Sequence, residues 1–91
     1  MELKNWLLEF KPGWDLHFKD FDKGTQQRIM KKLDQMKNPL QGRGLHTSRF
    51  QVEEVGGYRI VFIEELTIHI RRIHFIGNHK QYGLWYSGKG K

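Results

Sequence analysis

From residue 5 to residue 10 Trp6, Leu8 and Phe10 alternate with Asn5, Leu7 and Glu9, and Leu7 makes the alternation imperfect. A period of two predicts a strand with one buried face, and Lys11-Pro12-Gly13 supplies the proline turn that ends it. The period then lengthens. Between Gly13 and Phe21 the apolar residues Trp14, Phe18 and Phe21 recur at i, i+4 and i+7, which predicts a short amphipathic helix. Asp22 stands where an N-cap belongs for a second helix, in which Ile29, Leu33 and Met36 form the apolar stripe and Arg28, Lys31, Lys32 and Lys37 take the other faces. Asn38-Pro39 stops it, because a residue before proline is disfavoured in the α conformation. Two helices joined this closely form a helical hairpin whose apolar side needs a sheet to cover it.

From Arg49 onward β-signals dominate, with Phe50 and Val52, then Tyr58, Ile60 and Phe62, then Ile68 and Ile70. Gly56-Gly57 predicts a tight hairpin turn, and Glu64-Glu65 marks the next reversal. In the last strand Ile68 and Ile70 share one parity while Ile73 and Phe75 share the other. A slip of this kind predicts a β-bulge at Arg71-Arg72. After Tyr82 come Leu84, Trp85 and Tyr86, and residues 87–91 read as a basic tail. The expectation is one α+β domain over residues 1–86. It has an N-terminal strand and a two-helix hairpin packed on an antiparallel sheet whose C-terminal part is a three-strand meander, and the other face of the sheet is open to a partner.

Ninety-one residues suffice for one modest core and a shallow site. Without cysteine there is no disulfide framework and no thiolate chemistry. No apolar stretch approaches a membrane span, and the N-terminus lacks a charged leader followed by a signal core, so a cytoplasmic protein with no membrane partner is expected. A net charge of +6 favours a polyanionic partner, since clustered Lys and Arg release counterions from phosphates.

The candidate chemistry concentrates between Gly56 and Tyr82. Arg59 takes the strand face opposite Tyr58 and Ile60, where it either pairs with Glu53 or Glu54 across the hairpin or grips a phosphate bidentately. With a turn near Glu65, Arg71 or Arg72 stands opposite Arg59, a like-charge pairing that an anion between them would relieve. His79 can give or take a proton near neutrality, and Lys80 and Tyr82 can donate to phosphate oxygens. His46 lies in a loop able to border such a cleft, whereas His17 belongs to a helix surface. His69, His74 and His79 are spaced by five with no carboxylate in that run, so no metal site is expected. Metal-free RNA cleavage needs a base at the 2′-hydroxyl, cations around the phosphorus and an acid for the leaving oxygen, and the chain has all three types. Tyr82, Trp85 and Tyr86 either stack on unpaired bases or close the core's edge.

The sequence resembles the RelE/ParE toxin superfamily over nearly its whole length. The resemblance rests on the element order, on Lys37-Asn38-Pro39-Leu40 after the helices, and on Gly57-Tyr58-Arg59-Ile60-Val61-Phe62 followed by Ile76-Gly77-Asn78-His79-Lys80-Gln81-Tyr82. The Gly-Tyr-Arg strand start with a terminal His-x-x-Tyr is similar to the mRNA-cleaving RelE and HigB branch. It implies the toxin of a type II toxin–antitoxin system that enters the ribosomal A site and cuts mRNA by 2′-hydroxyl attack, needs no cofactor and is held by an acidic antitoxin. By that resemblance Arg59 is the phosphate clamp, His79 the acid or base, and Tyr82 a stacking or positioning group. Some relatives carry two lysines where an ungapped match places Phe50 and Val52, which leaves Arg49, His46 and Lys80 as the candidate cations. A ParE-like gyrase inhibitor and a catalytically inactive RelE-fold binding module are the alternatives. On the strand arithmetic, His79 lies about seven residues beyond the position opposite Arg59, roughly 23 Å of extended chain, so only a bulge or a returning chain brings the two together.

Overall fold

A computed structural model of the chain describes residues 6–38 and 50–89. Its elements are strand β1 (Leu7–Phe10), a single 3₁₀ turn (Phe18–Asp20), helix α1 (Lys23–Gln35), strands β2 (Gln51–Val55), β3 (Tyr58–Glu65) and β4 (Ile70–Asn78), and helix α2 (His79–Lys89). The expected α+β fold is the fold found. The sheet runs β1-β4-β3-β2, with β2, β3 and β4 as the antiparallel meander. β1 instead pairs parallel to β4, so the sheet is mixed; the long connection through α1 lets the first strand enter in the same direction as the last.

α1 forms where the sequence places it. Asp22 is its N-cap, and Ile29, Leu33 and Met36 are buried against Ile60, Phe62, Ile73 and Ile76. Each such side chain contributes about 1.5–3 kcal/mol when buried, more than the fraction of a kcal/mol by which ordinary helix propensities differ. Packing, not propensity, therefore holds a helix that contains Gly24 and Thr25 near its start.

The helix expected over Gly13–Phe21 is replaced by a succession of tight turns. Trp14 N donates to Lys11 O, Asp20 N to His17 O and Phe21 N to Phe18 O, all three residues back. A segment this short does not repay helix nucleation, and the tighter 3₁₀ winding still sets Trp14, Phe18 and Phe21 against the core. The helical hairpin is accordingly absent among the described residues, and the second helix lies at the other end of the chain. Ser87, Gly88 and Lys89, expected as a tail, continue α2.

Gly56 has φ 58° and starts the two-residue β2–β3 turn, with Val55 opposite Tyr58, as the hairpin signal predicts. The next reversal falls later than expected, at residues 66–69, and leaves Leu66 and Ile68 exposed. Charge explains the delay. Glu64 and Glu65 stay in β3 because they meet Arg71 and Arg72 across the strands, at 2.9 Å (Glu64 Oε2 to Arg71 Nε) and 2.8 Å (Glu65 Oε2 to Arg72 Nη1).

The irregularity in β4 is real but sits at His74, not at Arg71-Arg72. Val61 pairs with Phe75 and Phe62 with Ile73, so His74 is the extra residue. Ile73 and Ile76 thereby both reach the α1 side of the sheet, while Phe75, paired with Val61, turns to the opposite face.

Candidate functional site

Arg59 lies on the face of β3 away from α1, as strand alternation requires, and its register partner is Gly77. Neither Arg71 nor Arg72 stands opposite it: Arg71 pairs with Glu64 and Arg72 with Ile63. The later turn shifts the register, so the expected arginine pair does not form and His79 comes only two residues after the partner of Arg59. There β4 ends and α2 begins.

That junction is built by a reciprocal cap. Gln81 N donates to Asn78 Oδ1 at 2.8 Å, and Asn78 N donates to Gln81 Oε1 at 2.8 Å. Two orphan donors at the helix start are satisfied at once. The Asn-x-x-Gln spacing at 78 and 81 is the sequence signal that could have disclosed α2. Below the junction the Phe75 ring lies over Gly77 so closely that a Cβ there would sit 2.7 and 2.8 Å from it. Trp85 stacks on Phe75 with ring centroids 5.3 Å apart, and it also meets Phe50 edge-on at 5.2 Å. These contacts dock α2 on the open face of the sheet.

The result is a guanidinium between three partners. Arg59 Nε is 3.4 Å from Glu54 Oε2, Arg59 Nη2 is 3.5 Å from His79 Nε2, and the Arg59 Cζ lies 4.8 Å from the centre of the Tyr82 ring. Arginine has donors only, so Nε2 of His79 is the acceptor in this contact. The Arg59 side chain remains 23% exposed, and His79 and Glu54 are open to solvent. Tyr82 in turn stacks on Tyr86 at 5.9 Å, which extends the aromatic surface along α2. A carboxylate, a guanidinium and an imidazole in contact on an open surface can remove a proton, hold an oxyanion and return a proton.

No family model and no curated protein matches the chain. Among solved structures it is similar to the isolated RelE toxin of E. coli, with 14% identity, a TM-score of 0.64, and 80% of this chain and 83% of that one covered. It is similar too to the E. coli RelBE toxin–antitoxin complex, with 16% identity, a TM-score of 0.60, and 80% and 95% covered. The chain has the RelE toxin fold.

On this RelE fold the remaining expected site residues separate. Lys80 is exposed on the first turn of α2, beside His79. Arg71 is 2% exposed and belongs to the fold: it pairs with Glu64, donates to the carbonyls of Met36 and Asn38 at the end of α1, and lies 4.0 Å from the centre of the Trp6 ring. Its charge sits where a helix C-terminus favours a cation, and its Nε and Nη1 donors are engaged within the fold. Arg72 is held between Glu9 and Glu65. The hydrogen bond to Glu9, reinforced by the charges of both carboxylates, holds its guanidinium even more firmly protonated, yet neutralises it towards a substrate. Arg49 and His46 lie outside the described residues. The three evenly spaced histidines are dispersed: His69 stacks on Trp6, His74 meets Phe50, and His79 meets Arg59.

Glu54 belongs to this set as well, although the sequence predicts for it only an ion pair with Arg59. Its only signal was its place two residues before Gly56, opposite Arg59 in the hairpin.

Proposed function

We propose that the chain is the toxin of a type II toxin–antitoxin pair and that it cleaves mRNA in the ribosomal A site without a metal. The observation that carries this reading is the contact of Arg59 with both Glu54 and His79 on the open face of a RelE fold.

In the proposed reaction the scissile phosphate takes the Nη groups of Arg59, whose plane is backed by Tyr82. Glu54 accepts the proton of the 2′-hydroxyl as O2′ attacks phosphorus. Once the phosphate has replaced His79 as the acceptor for Arg59, the imidazole takes a proton from solvent and donates it to the departing 5′-oxygen. The P–O5′ bond breaks, and the products are a 2′,3′-cyclic phosphate and a 5′-hydroxyl. Arg59 stabilises the charge that grows on the non-bridging oxygens, and Lys80 contributes a further cation at the rim. The lysines that some relatives carry in the preceding strand are thus replaced by a carboxylate base.

The cognate antitoxin is proposed to be acidic, matching the +6 charge of the chain. Purified protein incubated with programmed ribosomes tests the reaction. Wild type is expected to cut the message, while Arg59→Ala, His79→Ala and Glu54→Gln each lose about 10²–10⁴-fold in rate and still fold. Full activity in all three variants would sink the assignment.

A further inference from the structure

The ring of Tyr82 is already committed. The Arg59 guanidinium lies over it at 4.8 Å from the ring centre, Tyr86 stacks on it at 5.9 Å with the planes 25° apart, and Trp85 stacks at 6.5 Å. A cation and two aromatic neighbours leave this ring no position for a nucleobase. Its part is to support the arginine.

Tyr86 stands one helical turn further along α2 and is 49% exposed. Docking of the helix falls to its neighbour Trp85, against Phe75 and Phe50. A half-exposed aromatic ring beside a cationic site is where single-stranded nucleic acid stacks, since every base has a π-face. Charge agrees, because α2 has lysines at 80 and 89 and no carboxylate.

The two groups that flank Arg59 give the direction of the strand. Glu54 approaches Nε from β2, and His79 approaches Nη2 from α2. With Glu54 taking the 2′-hydroxyl proton and His79 serving the 5′-oxygen, the upstream nucleotide lies over β2 and the downstream one over α2. Tyr86 is therefore on the downstream side.

We propose that Tyr86 is the base platform of this site, where its exposed ring stacks on a nucleobase 3′ to the scissile phosphate in single-stranded RNA. The platform senses the area of the base and not its hydrogen-bonding edge, so it favours purines modestly over pyrimidines. The direction rests on the cleavage chemistry proposed above; the platform rests on the ring geometry.

The probes are two dinucleotides of 2′-deoxyadenosine, one with a terminal 5′-phosphate and the other with a terminal 3′-phosphate, each titrated into the full chain at low salt and followed by NMR. Neither can be cut, because both lack the nucleophile. Seated by its terminal phosphate on Arg59, the first extends downstream over α2 and the second upstream over β2. Only the 5′-phosphorylated probe is expected to shift the Tyr86 ring resonances. Tyr86→Ala should weaken that probe about tenfold and leave the other unchanged, while Tyr86→Phe, which keeps the ring, should retain most of the binding. Arg59→Ala should weaken both. Equal weakening of both probes by Tyr86→Ala would mean that the ring merely props Tyr82, and overturns the proposal. So does a loss confined to the 3′-phosphorylated probe, indifference of both probes to Tyr86 or to Arg59, or no binding of either. A stacked base on a protein that leaves the message on programmed ribosomes intact would remove the cleavage reading alone; a cleaving protein indifferent to Tyr86 would remove this inference alone.

Discussion

Arg59 and His79 lie twenty residues apart in the chain and touch at 3.5 Å, Nη2 to Nε2. The contact follows from the register: Gly77 stands opposite Arg59, β4 ends at Asn78, and the first residue of α2 is His79 itself. Every influence on the position of α2 is therefore also an influence on this pair.

Gly77→Ala tests that dependence. The added methyl meets the Phe75 ring at under 3 Å, and overpacking of this kind costs about 1–3 kcal/mol. The variant should be destabilised in urea and should lose cleavage activity through displacement of α2. The second change Phe75→Leu should recover much of the stability; if the double variant is no more stable than Gly77→Ala alone, the ring is not the obstacle.

Asn78→Ala removes half of the reciprocal cap. A loss of about 1 kcal/mol is expected, with faster amide exchange confined to the first turn of α2. The proposed cleavage should fall although Asn78 lies outside the Glu54, Arg59 and His79 set, and Asn78→Asp, which keeps the side-chain acceptor, should retain most of it.

Arg71→Ala should destabilise without any specific effect on RNA. The change leaves Glu64 Oε2 and the carbonyls of Met36 and Asn38, just past α1, without the Arg71 donor, and breaking a buried pair costs about 3–5 kcal/mol. Arg71→Lys should rescue little, since one ammonium cannot serve partners on both strand and helix. In a double-mutant cycle with Glu64→Gln the two losses should be clearly less than additive.

Asp22 carries a stability that depends on pH. The hydrogen bond from the Thr25 hydroxyl holds its carboxyl below the ordinary value of 3.8. The unfolded chain therefore binds a proton before the folded chain does, so the contribution is complete above the ordinary value and fades as the pH falls through the lowered one. Urea unfolding from pH 6 down to pH 2 should show an acid-side decline that is shallower in Asp22→Asn.

Features that depend on neighbours along the chain were legible in the residues alone. The stripe of Ile29, Leu33 and Met36 forecast α1, the paired glycines after Val55 forecast the hairpin, and alternation assigned Arg59 to the face away from Tyr58. Periodicity reports which face of an element is buried. It says nothing about what lies on the other side of a strand pair. The last reversal comes at residues 66–69 for a long-range reason, because two glutamates are held in β3 by two arginines of β4. That choice took Arg71 and Arg72 away from Arg59, moved the bulge to His74, and brought His79 within reach of the guanidinium. A strand register is a long-range agreement among many side chains, and a shift of a few residues in one turn, invisible to local pattern, decides which side chains share a site.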